Sequence, residues 1–286
     1  MRWIIDILVE RHHKLGPLAW LGMATLGLVF MVAIFAPYLA PYELGYVDVT
    51  RQLEGPSAAH WLGTDENGAD VLTKIIYGSR VAVLVGLSTV AICSSIGIFL
   101  GSVSGYFGGV VDEVIMRVTD TMMAFPGILL AILLIFITQE PSLWAVVGAL
   151  SAAGWAGYAR LVRGEVLRER ERPYVEASRA LGFRTRRTLF REIVPNVLAP
   201  VTVQATFGVA GAILAEAALS FLGLGPQDMP SWGALLDQGA SYFLLTPHLA
   251  IFPGVAIMIT VLSINFVGDG LRDILDPRSV TRAVNE

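Results

Sequence analysis

Six stretches of the chain run for 19 residues or more without Asp, Glu, Lys or Arg: 15–42, 81–111, 121–139, 141–159, 193–215 and 238–268. A bilayer core takes about 20 apolar residues as helix. Only helices and closed barrels satisfy their backbone groups in lipid, and a barrel would show short alternating segments instead of continuous runs. The pattern predicts an all-α membrane protein with six transmembrane helices near 18–36, 82–104, 121–139, 142–160, 196–217 and 248–268.

Composition agrees. Charged residues are 15% of the chain, against about 25% in a soluble protein. Mean hydropathy is +0.64. Too few polar residues remain to cover a water-facing surface, which excludes a soluble enzyme, a disordered chain and a disulfide-stapled secreted domain. The single Cys93 forms no internal disulfide, and a net charge of −4 argues against nucleic-acid partners.

Six spans put both termini on one side. That side would hold Arg2, Arg11, Lys14, Arg117, the ten arginines from Arg160 to Arg191, and Arg272, Arg278 and Arg282, whereas the other holds only Arg51, Lys74 and Arg80. Seventeen against three predicts cytoplasmic termini. The first run resembles a signal peptide in its basic start. It is as long as a full span, however, and Ala36-Pro37-Tyr38 is a poor cleavage site, so a retained anchor is expected.

The expected organisation is a cytoplasmic segment 1–17, a membrane domain 18–278 and a tail 279–286. Long connections fall at 37–81 and 218–247 outside and at 161–195 inside. The turn at Gln139–Ser142 makes the third and fourth spans antiparallel neighbours. Gly97, Gly101 and Gly105 share one face of the second span, where backbones can approach closely. Static packing is the plainer reading of that face, and a contact that slides is the sharper one.

Much chemistry is missing. Neither lysine sits in a Gly-Lys-Ser/Thr, so there is no P-loop. There is no dinucleotide fingerprint, no His-Glu-x-x-His and no nucleophile elbow. His12 and His13 read as solvated, and His60 and His248 are not expected to share a metal. Glu216, near the outer end of the fifth span, is a functional candidate as an intramembrane carboxylate. An interfacial side chain that reaches water or caps a neighbouring helix is the preferred reading, and a proton relay would need a second buried partner.

The inner connection carries ten arginines and four glutamates over 160–191. Pro173 suits a first helical position, Tyr174, Ala177, Ala180 and Leu181 follow at helical spacing, and Gly182 suits the stop. Thr185 is placed to cap a second helix carrying Leu189, Phe190 and Ile193, ending at Pro195. Such a short amphipathic helix could lie on anionic lipid, enforce topology or dock into a partner, and physics alone leaves these level.

The stretch Glu176-Ala177-Ser178-Arg179-Ala180-Leu181-Gly182, then Ile193-Val194-Pro195, resembles the EAA signature of ATP-binding-cassette importer permeases. Ser178 and Val194 stand where alanine and leucine are usual. His60-Trp61-Leu62-Gly63-Thr64-Asp65 with Gly68 and Asp70-Val71-Leu72 is similar to a segment of the dipeptide and oligopeptide permeases of the C type, with Trp61 and Ala69 departing from it. Ala217 to Gly225, Pro230-Ser231-Trp232-Gly233, Gly268 to Asp273 and Asp276-Pro277-Arg278 are similar to the same subfamily.

The resemblance implies a type I importer permease fold in the cytoplasmic (inner) membrane of a prokaryote. It implies a second related permease, two cytoplasmic ATPases that bind ATP and Mg, and an external solute-binding protein, with no cofactor and no catalytic residue in this chain. Coupling to the ATPase would fall on Tyr174, Glu176, Ala177, Ala180, Leu181, Gly182 and Pro195. Met122, Phe125, Gln204, Phe207 and Glu216 are pathway candidates, each with a core-packing reading at least as strong. Trp232 and Asp237 are candidates for an outer gate in 218–247, where aromatics would otherwise form an interfacial belt. The implied cargo is a di- or oligopeptide carried by alternating access. Alternatives are nickel, glutathione or another small solute and, at greater remove, an ion-coupled secondary transporter or a membrane enzyme. No repeat, buried ion pair or paired nucleophile supports those last two.

Overall fold

A computed structural model describes residues 15–139 and 141–275. Arg2, Arg11, His12, His13, Lys14, Arg278, Arg282 and the Asp276-Pro277-Arg278 motif lie outside the described residues. Among those described there is no strand. The helices are α1 Pro17–Leu39, α2 Val71–Phe107, α3 Gly109–Ala124, α4 Gly127–Thr138, α5 Leu143–Glu169, α6 Pro173–Ala180, α7 Thr185–Phe221, α8 Trp232–Ser241 and α9 His248–Leu275. α1, α2, α5, α7 and α9 are each long and apolar enough to cross a bilayer, and the pair α3–α4 makes a sixth span if counted as one.

That pair differs from the straight helix expected at 121–139. It begins at Gly109, and its two axes turn by 87° across Phe125-Pro126. Pro126 has no N–H to donate, and its ring drives Phe125 to extended backbone (φ −86°, ψ 137°), so the helix must stop. Other helices outrun their apolar stretches. α2 starts at Val71 because the Asp70 side chain accepts from Thr73 N at 2.7 Å, and α5 starts at Leu143 because Ser142 accepts from Ala145 N at 3.2 Å. Hydropathy marks the lipid-facing length, whereas caps mark the ends.

The spine is α2 against α5. Gly97, Gly101 and Gly105 do share a face, and it lies on α5. A Cβ added at Gly101 would fall 2.8 Å from Val162 Cβ, and one at Gly105 would fall 2.9 Å from the Arg163 carbonyl. Cys93, Tyr158, Val162, Val166, Leu189, Ile193 and Val197 fill the core around that seam. The seam is pinned at the arginine-rich end, where Arg163 grips Asp112 of α3 through two bonds of 2.6 Å and Arg170 Nη1 donates to Gly105 O at 2.9 Å.

The opposite end is closed by 40–70 and α8. Gly63 and Gly68 take φ of +82° and +79°, which glycine adopts freely. They fold the segment so that His60 Nδ1 lies 3.0 Å from Asp70 Oδ1 and Tyr42 stacks on His60 at 4.9 Å. Asp65 is fully buried, accepts from Asn67 N and Ala69 N, and pairs with Lys74 of α2. Trp232, the outer-gate candidate, is 4% exposed and so lies in no interfacial belt. Its Nε1 donates to Ile75 O at 2.9 Å, and its ring lies on Gly78, so it bolts α8 to α2. An indole with its N–H satisfied loses nothing by burial.

Two outcomes follow from this packing. Gly101→Val should lower stability by about 1–3 kcal/mol in thermal unfolding in detergent, whereas Gly27→Ala, where an added Cβ meets nothing within 4 Å, should leave the transition in place. Lys74→Met leaves the Asp65 carboxylate buried without its cation. The cost should be about 2 kcal/mol, softened by the two backbone bonds that remain, and limited proteolysis should show new cleavage within 40–70.

Candidate functional site

The Pro173–Ala180 helix stands at the arginine-rich end as the sequence predicts, with Pro173 at its first position. Gly182 has φ +75°, and the bonds Gly182 N to Arg179 O (2.9 Å) and Phe183 N to Ser178 O (3.1 Å) close the helix in a left-handed stop. Two residues that sequence reasoning left out as anchors hold it down. Val175 is fully buried in the α2–α5–α7 core. Ser178 Oγ bonds Tyr174 O at 3.0 Å and the Glu192 carboxylate. Their i, i+3 spacing was the available signal.

The opposite face is open. Glu176, Ala177, Ala180, Leu181 and Gly182 are exposed, Leu181 at 72%. Glu176 has no ion pair among the described residues, so its carboxylate is free to meet another surface. Tyr174 differs from the rest of this set. Its hydroxyl donates to Glu169 Oε1 at 2.9 Å and accepts from Asn196 Nδ2 at 3.1 Å, tying α6 to the end of α5 and the start of α7. Burial pushes its phenol up to about 12. Pro195 is half-buried.

The chain after Gly182 departs from expectation. Thr185 makes no capping bond. Arg184 is the cap residue, its carbonyl accepting from Arg187 N and Thr188 N at 2.8 and 3.1 Å. The helix does not end at Pro195 either. α7 continues through it to Phe221, with a π-helical turn over Thr188–Ile193 just before. The missing Pro195 N–H falls where the hydrogen-bond register changes, so no α-helical bond is lost there. α6 is therefore joined to a full span by a short link and a continuous helix.

α2, α3, α4, α5 and α7 line an open cavity of about 440 Å³. It brings together Met122, Phe125 and Gln204 of the pathway candidates, along with Thr89, which the sequence reading did not single out. Not one Asp, Glu, Lys, Arg or His lines it. Phe207 and Glu216 are not in its lining. Phe207 packs on Gly268 of α9, where an added Cβ would sit 3.0 Å from the ring. Glu216 is 2% exposed and accepts from Ser220 Oγ at 2.6 Å beside the α8 cap residue Ser231, so it neither reaches water nor pairs with a cation among the described residues. Asp237 is exposed on a separate outer hollow shared with Lys74, Asp228 and Gln238. No cluster of three potential metal ligands exists among the described residues.

Comparison with known proteins matches these features to a family. Residues 97–281, which include α6 and the cavity wall apart from its α2 residues, match the family model described as the binding-protein-dependent transport system inner membrane component. Residues 14–56 match the N-terminal transmembrane domain of oligopeptide transport permease C. The chain is 42% identical over 269 residues to the dipeptide transport system permease protein DppC of Alkalihalophilus pseudofirmus, covering 94% of this chain and 88% of that one. It is 42% identical to the glutathione transport system permease protein GsiD of Pectobacterium atrosepticum (88% and 84% covered) and 38% identical to the oligopeptide transport system permease protein OppC of Bacillus subtilis (96% and 90%). The extent of these matches over a helical, multi-span chain establishes that it belongs to the family of binding-protein-dependent transport system inner membrane components.

Proposed function

We propose that this chain is the permease subunit of an ATP-binding-cassette importer, carrying di- and oligopeptides across the cytoplasmic membrane by alternating access. The supporting observation is α6: a helix fixed on one face by Val175 and Ser178 and bare on the other, joined by a short link to a span that lines the central cavity. A partner ATPase that grips Glu176, Ala177, Ala180, Leu181 and Gly182 would transmit its movement through Tyr174 and the π turn into α7. ATP and Mg then belong to two cytoplasmic ATPases, and this chain performs no covalent step. A second permease would supply the other wall of the passage, and a solute-binding protein would deliver cargo at the end closed by 40–70 and α8, where Trp232 and Asp237 lie. The arginine-rich end and both termini face the cytoplasm in this reading, which the seventeen-to-three distribution of basic residues supports.

Glutathione is the competing cargo, since a relative equally similar to the dipeptide permease carries that name. Uptake of labelled dipeptide by proteoliposomes holding the full importer, competed by glutathione or by unlabelled dipeptide, separates the two. In the same system Leu181→Glu should cut ATP-driven uptake more than tenfold without moving the melting temperature, because Leu181 is 72% exposed. Gly182→Leu, strained at φ +75°, should leave the membrane part folded and uncouple hydrolysis from transport. Full uptake in both variants overturns the coupling role.

A further inference from the structure

Most arginines at the α6 end are paired, but two at the start of α7 are not. The side chains of Arg186 and Arg191 are exposed and make no hydrogen bond, ion pair or ring contact among the described residues. Arg187 beside them lies over the Phe183 ring at 3.8 Å and 3.9 Å from Glu192. Glu192 also accepts from Ser178 Oγ, so the nearest carboxylate on this helix is committed to α6 and to Arg187. Arg191 is the last cation before the charge-free run 193–215, which puts it where the span leaves the apolar layer.

An apolar track leads to the same point. Leu189, Ile193 and Val197 take the core side of α7, whereas Phe190 is exposed and stacks on Phe99 of α2, with centroids 6.4 Å apart and planes within 12°. Phe99 is 56% exposed, and Ile96 and Ile92, also exposed, continue the stripe along α2 at helical spacing. None of these side chains lines the cavity. At about 100° per residue, Phe99 falls on the face of α2 opposite the cavity-lining Val90, so the stripe is turned away from the passage.

We propose that Arg186 and Arg191 hold the phosphate of an anionic phospholipid from the leaflet on the arginine-rich side, with an acyl chain lying on Phe190, Phe99, Ile96 and Ile92. The layout matches one lipid molecule: an apolar track within the span, flat rings at its end, and two guanidinium forks, which fit phosphate, just beyond them. Two uncompensated cations favour a headgroup of net negative charge over a zwitterionic one. The site does not depend on which cargo the chain carries.

The test uses the assembled importer in phosphatidylcholine nanodiscs with a sub-saturating amount of phosphatidylglycerol that carries a photoactivatable diazirine on its acyl chain. Adducts are mapped by peptide mass spectrometry after irradiation. They should fall on 92–99 and 186–191 of this chain, and a phosphatidylcholine probe should give far fewer. The double variant Arg186→Gln, Arg191→Gln should cut the phosphatidylglycerol adducts about 25-fold, about fivefold for each arginine. Lysine at both positions keeps the charge and should retain most of the labelling. Arg272→Gln, at an exposed position near the end of α9, should change nothing. Equal labelling by the two probes, adducts on a partner subunit in place of these segments, or displacement by soluble glycerol phosphate overturns the lipid site. An equal loss in Arg272→Gln does so too, since it shows a diffuse surface field.

Discussion

Everything in this bundle hangs on the close approach of α2 and α5. In lipid there is no hydrophobic drive between helices, so contact must come from fit. Glycines at 97, 101 and 105 let the two backbones meet, with Tyr158, Val162 and Val166 filling the groove. One side of that seam holds α7 through Gly86 and Gly208, and its arginine-rich end carries the short link to α6. The cavity is the space the seam leaves beside it, where Thr89, Gly157 and Tyr158 all come from the two seam helices.

A second constraint sets the two ends apart. The arginine-rich end is held by charge-assisted pairs, with Arg163 on Asp112, Arg160 on Asp120 and Arg187 near Glu192. The first two pairs fix α3 to α5, the third lies within α7, and all of them leave the α6 face bare. The other end is held by buried polar contacts, Asp65 with Lys74 and His60 with Asp70, and by the Trp232 bolt.

The motif segment His60 to Leu72 illustrates how resemblance and physics meet. Its residues make contacts that build the fold. Gly63 and Gly68 make the turns, Asp65 accepts backbone bonds and a lysine, and Asp70 caps α2 while holding His60. The same holds for Ser178, whose hydroxyl, a departure from the usual alanine, secures α6 to Glu192.

The amino-acid order alone determined what depends on local patterning: the apolar runs that become spans, the Pro173 start and Gly182 stop of α6, and the glycine face of α2. Each is set by hydropathy over a turn or by one residue's backbone freedom. The break at Phe125-Pro126 was equally local but was hidden by an unbroken apolar run. Only the tertiary structure decided which side chains share the cavity. Met122, Phe125 and Gln204 meet there with Thr89, whereas Phe207 turns to α9 and Glu216 to Ser220. Successive residues on a helix are rotated by about 100°, so a side chain's neighbours depend on how each helix is turned about its own axis. That rotation is set by packing between helices far apart in the chain, as are the Arg163–Asp112 and Trp232–Ile75 contacts that fix it.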